Sequence, residues 1–228
     1  MSDLVRKKRN GRIIDFIPGI FGSMVFVLLC ILFFVSGFKG ESSYLSLSLD
    51  KPWGIFTSTY VHADFNHLWN NISAILIFSS MIFVVNMWVP KKIRKTISST
   101  MLVLLFFTGP LVGSLEYLIW LATSSFDVSS VGASDVVYAV SALALVSFGL
   151  NIPIFWKVSS GRRKSRAATF LFIVGIFIVF IFFFSLIQSP EVFFSVAPGV
   201  DVLAHVFGFI IGLLVSLRFL LPVYRRLM

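Results

Sequence analysis

The run Asp201-Val-Leu-Ala204-His205-Val-Phe-Gly208-Phe-Ile-Ile-Gly212-Leu-Leu-Val-Ser-Leu217 decides how this chain reads. Together with the apolar residues that follow, it is long enough to cross a bilayer, since a spanning helix needs about 20 apolar residues. Ala204, Gly208 and Gly212 recur every four residues, so they share a face and let a second helix come close. His205 stands beside that stripe. An ionisable side chain is costly in hydrocarbon, and one found there reads as part of a functional site by default.

The rest of the chain agrees with a membrane setting. Of 228 residues, 57% are hydrophobic and only 13% charged, with a mean hydropathy of +0.95. Runs near 17–38, 67–89, 97–121, 134–152, 168–188 and 201–221 are each long enough to span, which predicts an all-α polytopic bundle of six transmembrane helices. The expected organisation is a basic N-terminal segment (1–16), a six-span membrane domain (17–221) and a short tail (222–228). The first apolar run is too long for a signal-peptide core and five more follow, so it is read as an anchor.

Net charge is +9, but its distribution argues against nucleic acid as a partner. Seventeen of the nineteen Lys and Arg fall on one side of a six-span arrangement; only Lys39 and Lys51 fall on the other. Positive charge collects on the cytoplasmic side, which predicts both termini there and anionic membrane lipid as a partner. Cys30 is alone within a span and offers no disulfide chemistry.

The fourth run opens with Gly132-Ala-Ser134-Asp135. A helix start offers unpaired N–H groups and the positive end of the dipole, which favour developing negative charge. Ser134 to Leu150 is about 24 Å of helix, so Ser134 is expected to lie recessed, in a cavity wet enough to supply water for hydrolysis. Serine needs a nearby base. His205 is the candidate, with Tyr138, one turn beyond Ser134, packed beneath its imidazole and with Ala139 and Ala142 as the smooth face opposite Gly208 and Gly212. His67 and Asn71, four apart, point the same way and could donate to an oxyanion. His62 lies about 140° round if that helix extends back to it, so it is expected to face elsewhere and anchor a loop. Glu116 is expected to snorkel from the outer end of the third span, where Thr108-Gly109-Pro110 marks a kink. The segment 39–66, rich in Ser and aromatics, is expected to lie half-sunk in the outer leaflet.

Three motifs carry a resemblance. Pro52-Trp53-Gly-Ile-Phe56-Thr57 with His62, His67-Leu68 and Asn71; Gly132-Ala-Ser134 followed by Val136-Val137-Tyr138-Ala139; and Ala204-His205-x-x-Gly208-x-x-x-Gly212 together resemble the rhomboid family of intramembrane serine proteases. In this order, on spans two, four and six, they are specific as a set. The resemblance implies an endopeptidase with Ser134 as nucleophile and His205 as general base. It also implies an oxyanion hole made of His67, Asn71 and the Ser134 N–H, and single-pass transmembrane proteins as substrates. No cofactor or metal is implied.

Two positions depart from the family's pattern. Asp135 stands where glycine usually follows the serine, and Gly54 where arginine often follows the loop tryptophan. Asp135 is read as an acid complementing the helix start, so that Asp135→Gly should retain activity. Asp201 is likewise read as a helix-start acid rather than a third catalytic group. The Phe-rich fifth span is read as lipid-facing packing. A catalytically inactive rhomboid-like binder of membrane clients is the alternative reading, with Asp135 in its favour. A metal carrier built on His62, His67 and His205 is disfavoured by their spacing and by the lack of a thiolate cluster. The expected location is the plasma membrane of a prokaryote.

Overall fold

The computed structural model describes residues 13–40, 42–124, 128–160, 173 and 202–226. Among these the protein is helical, with no strand beyond isolated bridges. The elements are α1 (Ile17–Val35), the short α2 (Gly54–Thr57), a 3-10 turn (Ser58–Tyr60), α3 (Phe65–Asn86), α4 (Lys91–Thr123), α5 (Ser134–Ser160) and α6 (Val202–Arg225). Five of the helices are long and apolar enough to cross a membrane, and they coincide with five of the expected spans. Apart from residue 173, the expected run 168–188 lies outside the described residues, as does Asp201.

Helix starts follow local chemistry. Pro18 sits in the first turn of α1, where its missing N–H costs nothing. Asp64 caps α3 by accepting the His67 N–H at 2.8 Å. α4 begins at Lys91 after Pro90, earlier than the apolar run at 97, because the basic residues join the helix without needing hydrocarbon around them.

α5 is the most enclosed of the five and packs most extensively on α6. The small-residue stripe makes this possible. A Cβ on Gly208 would lie 2.2 Å from the Asp135 carbonyl oxygen, and one on Gly212 would lie 2.5 Å from the Ala139 Cα. The two backbones are in direct contact.

A buried polar chain closes the other end of the bundle. Asn86 Nδ2 donates to Ser147 Oγ at 3.1 Å, Asn151 Nδ2 donates to Asn86 Oδ1 at 2.7 Å, and the Tyr224 hydroxyl donates to Asn151 Oδ1. It ties α3, α5 and α6 together. Beside it, Arg94 pairs with Asp15 at 2.7 Å, joining the start of α4 to the segment before α1.

The segment between α1 and α3 is a compact cap. Leu47 and Ser130 exchange backbone hydrogen bonds at 3.1 and 3.0 Å, and Trp53 Nε1 donates to the Tyr44 carbonyl at 2.7 Å. Gly54 lies flush on Leu47, so that any side chain there would strike backbone at 2.4 Å. Lys51 braces the cap, its Nζ donating to the Ser43 carbonyl at 3.1 Å.

This cap also corrects the expectation for Glu116. Its side chain does not snorkel; the residue is 2% exposed. α4 continues about two turns beyond it, and the cap covers this stretch, with Gly113 against Ile55 and the Tyr117 hydroxyl reaching the Leu49 carbonyl at 3.5 Å.

Candidate active site

Ser134 is the first residue of α5 and is partly exposed. The chain reaches it through Gly132, whose φ of +117° is a conformation that side-chain-bearing residues rarely adopt. Space demands glycine there as well. A Cβ would lie 2.6 Å from His67 Cε1, 2.7 Å from His67 Nε2 and 3.6 Å from Asn71 Nδ2. His67 and Asn71 therefore press together on the turn that delivers Ser134.

Asn71 is 7% exposed, and its Nδ2 donor has no partner among the described residues. A buried amide donor left unpaired is uncommon in a folded protein and calls for an explanation. Next to a nucleophile candidate, such a donor is chemically suited to an acceptor that arrives from outside the protein.

On the other side, the Tyr138 ring stacks on the His205 imidazole with centroids 4.5 Å apart and planes 19° apart. Tyr138 is one turn beyond Ser134 on the same face of α5. His205 is 8% exposed, one turn before Gly208, which rests on the Asp135 carbonyl. The expected site residues Gly132, Ser134, Tyr138, His67, Asn71, His205, Gly208 and Gly212 thus meet at one end of the bundle, where α3, α5 and α6 converge.

A family model of the rhomboid domain matches residues 49–222. The chain belongs to the rhomboid family. No curated protein and no solved structure matches it significantly. Family membership and the five apolar helices make it an integral membrane protein.

Within this rhomboid frame, two features escaped the linear reading. His62 does anchor the cap, its carbonyl accepting the Gly40 N–H at 3.0 Å, but its ring does not face away. It lies edge-on to His67 with centroids 5.2 Å apart. The 140° offset applies only if the helix extends back to His62, and α3 starts only after Asp64. That acid, three residues before His67, was the available signal. His62 is fully buried. Its Nδ1 lies 3.3 Å from the Tyr60 carbonyl, and its Nε2 has no partner among the described residues. Burial, and then the neighbouring His67, pull the His62 imidazole down to about 4, against the opposing Tyr60 carbonyl. It is neutral near pH 7, with Nδ1–H donating to that carbonyl.

The second feature is Asp135. Its carboxylate accepts the Val136 N–H at 2.7 Å and faces Thr59, whose Oγ1 lies 3.3 and 3.5 Å from its two oxygens. The contact spans 76 residues of sequence, which no local spacing reveals. Burial pushes the Tyr60 hydroxyl up, and the neighbouring Cys30 and Asp135 add to that shift. Among the described residues, no group of three or more His, Cys, Asp or Glu side chains is placed to hold a metal.

Proposed function

We propose that this rhomboid is an intramembrane serine endopeptidase that cuts a peptide bond in or near the transmembrane helix of single-pass membrane proteins. Ser134 Oγ attacks the scissile carbonyl carbon while His205 takes its proton. The oxyanion is held by His67, Asn71 and the Ser134 N–H. The C–N bond then breaks, His205 returns the proton to the leaving amine, and an acyl-Ser134 remains. Water, deprotonated by His205, releases the acyl group and restores the serine.

The observation that carries this reading is the unpaired Asn71 donor. It lies beside Gly132, on one side of Ser134, while His205 stacks on Tyr138 on the other. We further propose six spans, with 168–188 as the fifth, both termini in the cytoplasm and a prokaryotic plasma membrane as the location. The skewed distribution of Lys and Arg supports that orientation and makes anionic lipid the surrounding partner.

The inactive-homologue reading draws on Asp135, an acid where the family usually has glycine. Its carboxylate is engaged by Thr59 and by the Val136 N–H, which weakens the objection that it opposes an oxyanion at Ser134. Co-expression with a reporter transmembrane helix separates the two. Cleavage by the wild type that disappears in Ser134→Ala supports the protease; a reporter retained intact but bound favours the inactive reading.

A further inference from the structure

The 3-10 turn Ser58–Tyr60 touches the Ser134 loop on both sides of the serine. Before it, the Gly132 N–H donates to the Ser58 carbonyl at 3.0 Å. After it, the Asp135 carboxylate faces the Thr59 hydroxyl at 3.3 and 3.5 Å. Ser58, Thr59 and Asp135 are all buried, so water does not compete for these contacts.

The turn is itself held from behind. Gly109 of α4 lies so close to Thr59 that a Cβ on it would sit 2.4 Å from Thr59 Oγ1. Beyond the turn, His62 rests on His67, and His67 rests on Gly132. The grip is thus closed from Ser58 through His62 and back to the loop. Glycine, the residue the family usually carries after the serine, offers no acceptor for Thr59.

We propose that Thr59 and Asp135 are a pair of positioning residues, which together with the Ser58–Gly132 hydrogen bond fix the rotation of the first turn of α5 and so the direction of Ser134 Oγ. The proposal rests on the protease reading of Ser134. Neither residue touches substrate. Their effect falls on the chemical step, because a nucleophile displaced by about 1 Å loses up to roughly 100-fold in rate. What matters is the acceptor at position 135 rather than its charge, since a hydroxyl can donate to an amide oxygen as well as to a carboxylate.

The test combines reporter-cleavage kinetics with hydrogen exchange at the amides of residues 132–137 in the purified full chain. Thr59→Val should lower kcat about 10-fold with KM unchanged and raise exchange at those amides. So should Asp135→Gly, although the sequence alone, which does not reveal the Thr59 contact, predicts unaltered activity there. The double variant should be no worse than either single one, as expected of two partners in one contact. Thr59→Ser and Asp135→Asn, which keep the donor and an acceptor, should restore wild-type behaviour and serve as folded controls. Independent, multiplying losses in the double variant would overturn the pairing, as would a change in KM alone. A loss in Asp135→Asn as deep as in Asp135→Gly would show that charge acts instead. The exchange readout stands even if the protein cleaves nothing, in which case the protease reading fails alone. Unchanged protection in Thr59→Val would sink the positioning role whatever the activity.

Discussion

The two ends of the bundle bring together the same three helices with opposite use of polar groups. At the end carrying Asn86, Ser147, Asn151 and Tyr224, the polar side chains are fully buried and answer one another in an unbroken chain of hydrogen bonds. At the end carrying Ser134, reached about 22 Å along α3 from Asn86 to Asn71, buried groups are left open. Asn71 Nδ2 and His62 Nε2 have no partner among the described residues. A saturated network fixes helix register, and a partly unsaturated one keeps hydrogen-bonding capacity for something that comes and goes. On the proposed function, stability and chemistry are divided between the two ends of α3, α5 and α6.

The largest expected effect that would sharpen this contrast is at Asn71. Asn71→Ala should lower kcat roughly 100- to 1,000-fold, the usual cost of removing an oxyanion donor, with thermal stability unchanged or higher. A matching loss of stability, with activity falling only as the folded fraction falls, would make Asn71 a structural residue and erase the contrast.

Acid should separate the ends next. The neutral form of His62 is favoured by folding, since burial pulls its imidazole down to about 4 from the ordinary 6.5. Above pH 6.5 both folded and unfolded chains hold it neutral. As pH falls from 6.5 towards 4 the unfolded chain takes up a proton that the folded one refuses, removing roughly 3 kcal/mol of stability. Unfolding measured across that window should show this slope in the wild type and a clearly shallower one in His62→Gln. An unaltered slope in the variant would place the acid sensitivity elsewhere.

The smallest effect belongs to the saturated end. Asn151→Leu strands Asn86 Oδ1 and the Tyr224 hydroxyl, at a cost on the order of 1–2 kcal/mol. Detergent or thermal unfolding should register that loss, while kcat per folded molecule stays near the wild-type value. A selective drop in kcat would mean the far network reaches the chemistry.

Much of this is legible in the sequence. Apolar length marked five of the helices, and the four-residue spacing of Ala204, Gly208 and Gly212 announced the backbone contact with α5. The stacking of Tyr138 beneath His205 followed from their positions on facing helices. Failures arose where a local rule was extended past its limit. The outward direction of His62 holds only for a helix that runs through Asp64, which instead caps α3 and leaves His62 against His67. Distance from the span's apolar end puts Glu116 at the surface, although the cap folds over that end and buries it. The Thr59–Asp135 contact and the Asn86–Asn151–Tyr224 chain join residues 61 to 76 positions apart. Packing alone makes them neighbours.

The central claim is that the imidazole of His205 activates the Ser134 hydroxyl. Reaction of the purified protein in detergent with a fluorophosphonate probe, followed by mapping of the modified residue, tests it directly. Ser134 should be labelled in the wild type and left essentially unlabelled in His205→Ala. Equal labelling in that variant, or none in the folded wild type, would contradict it.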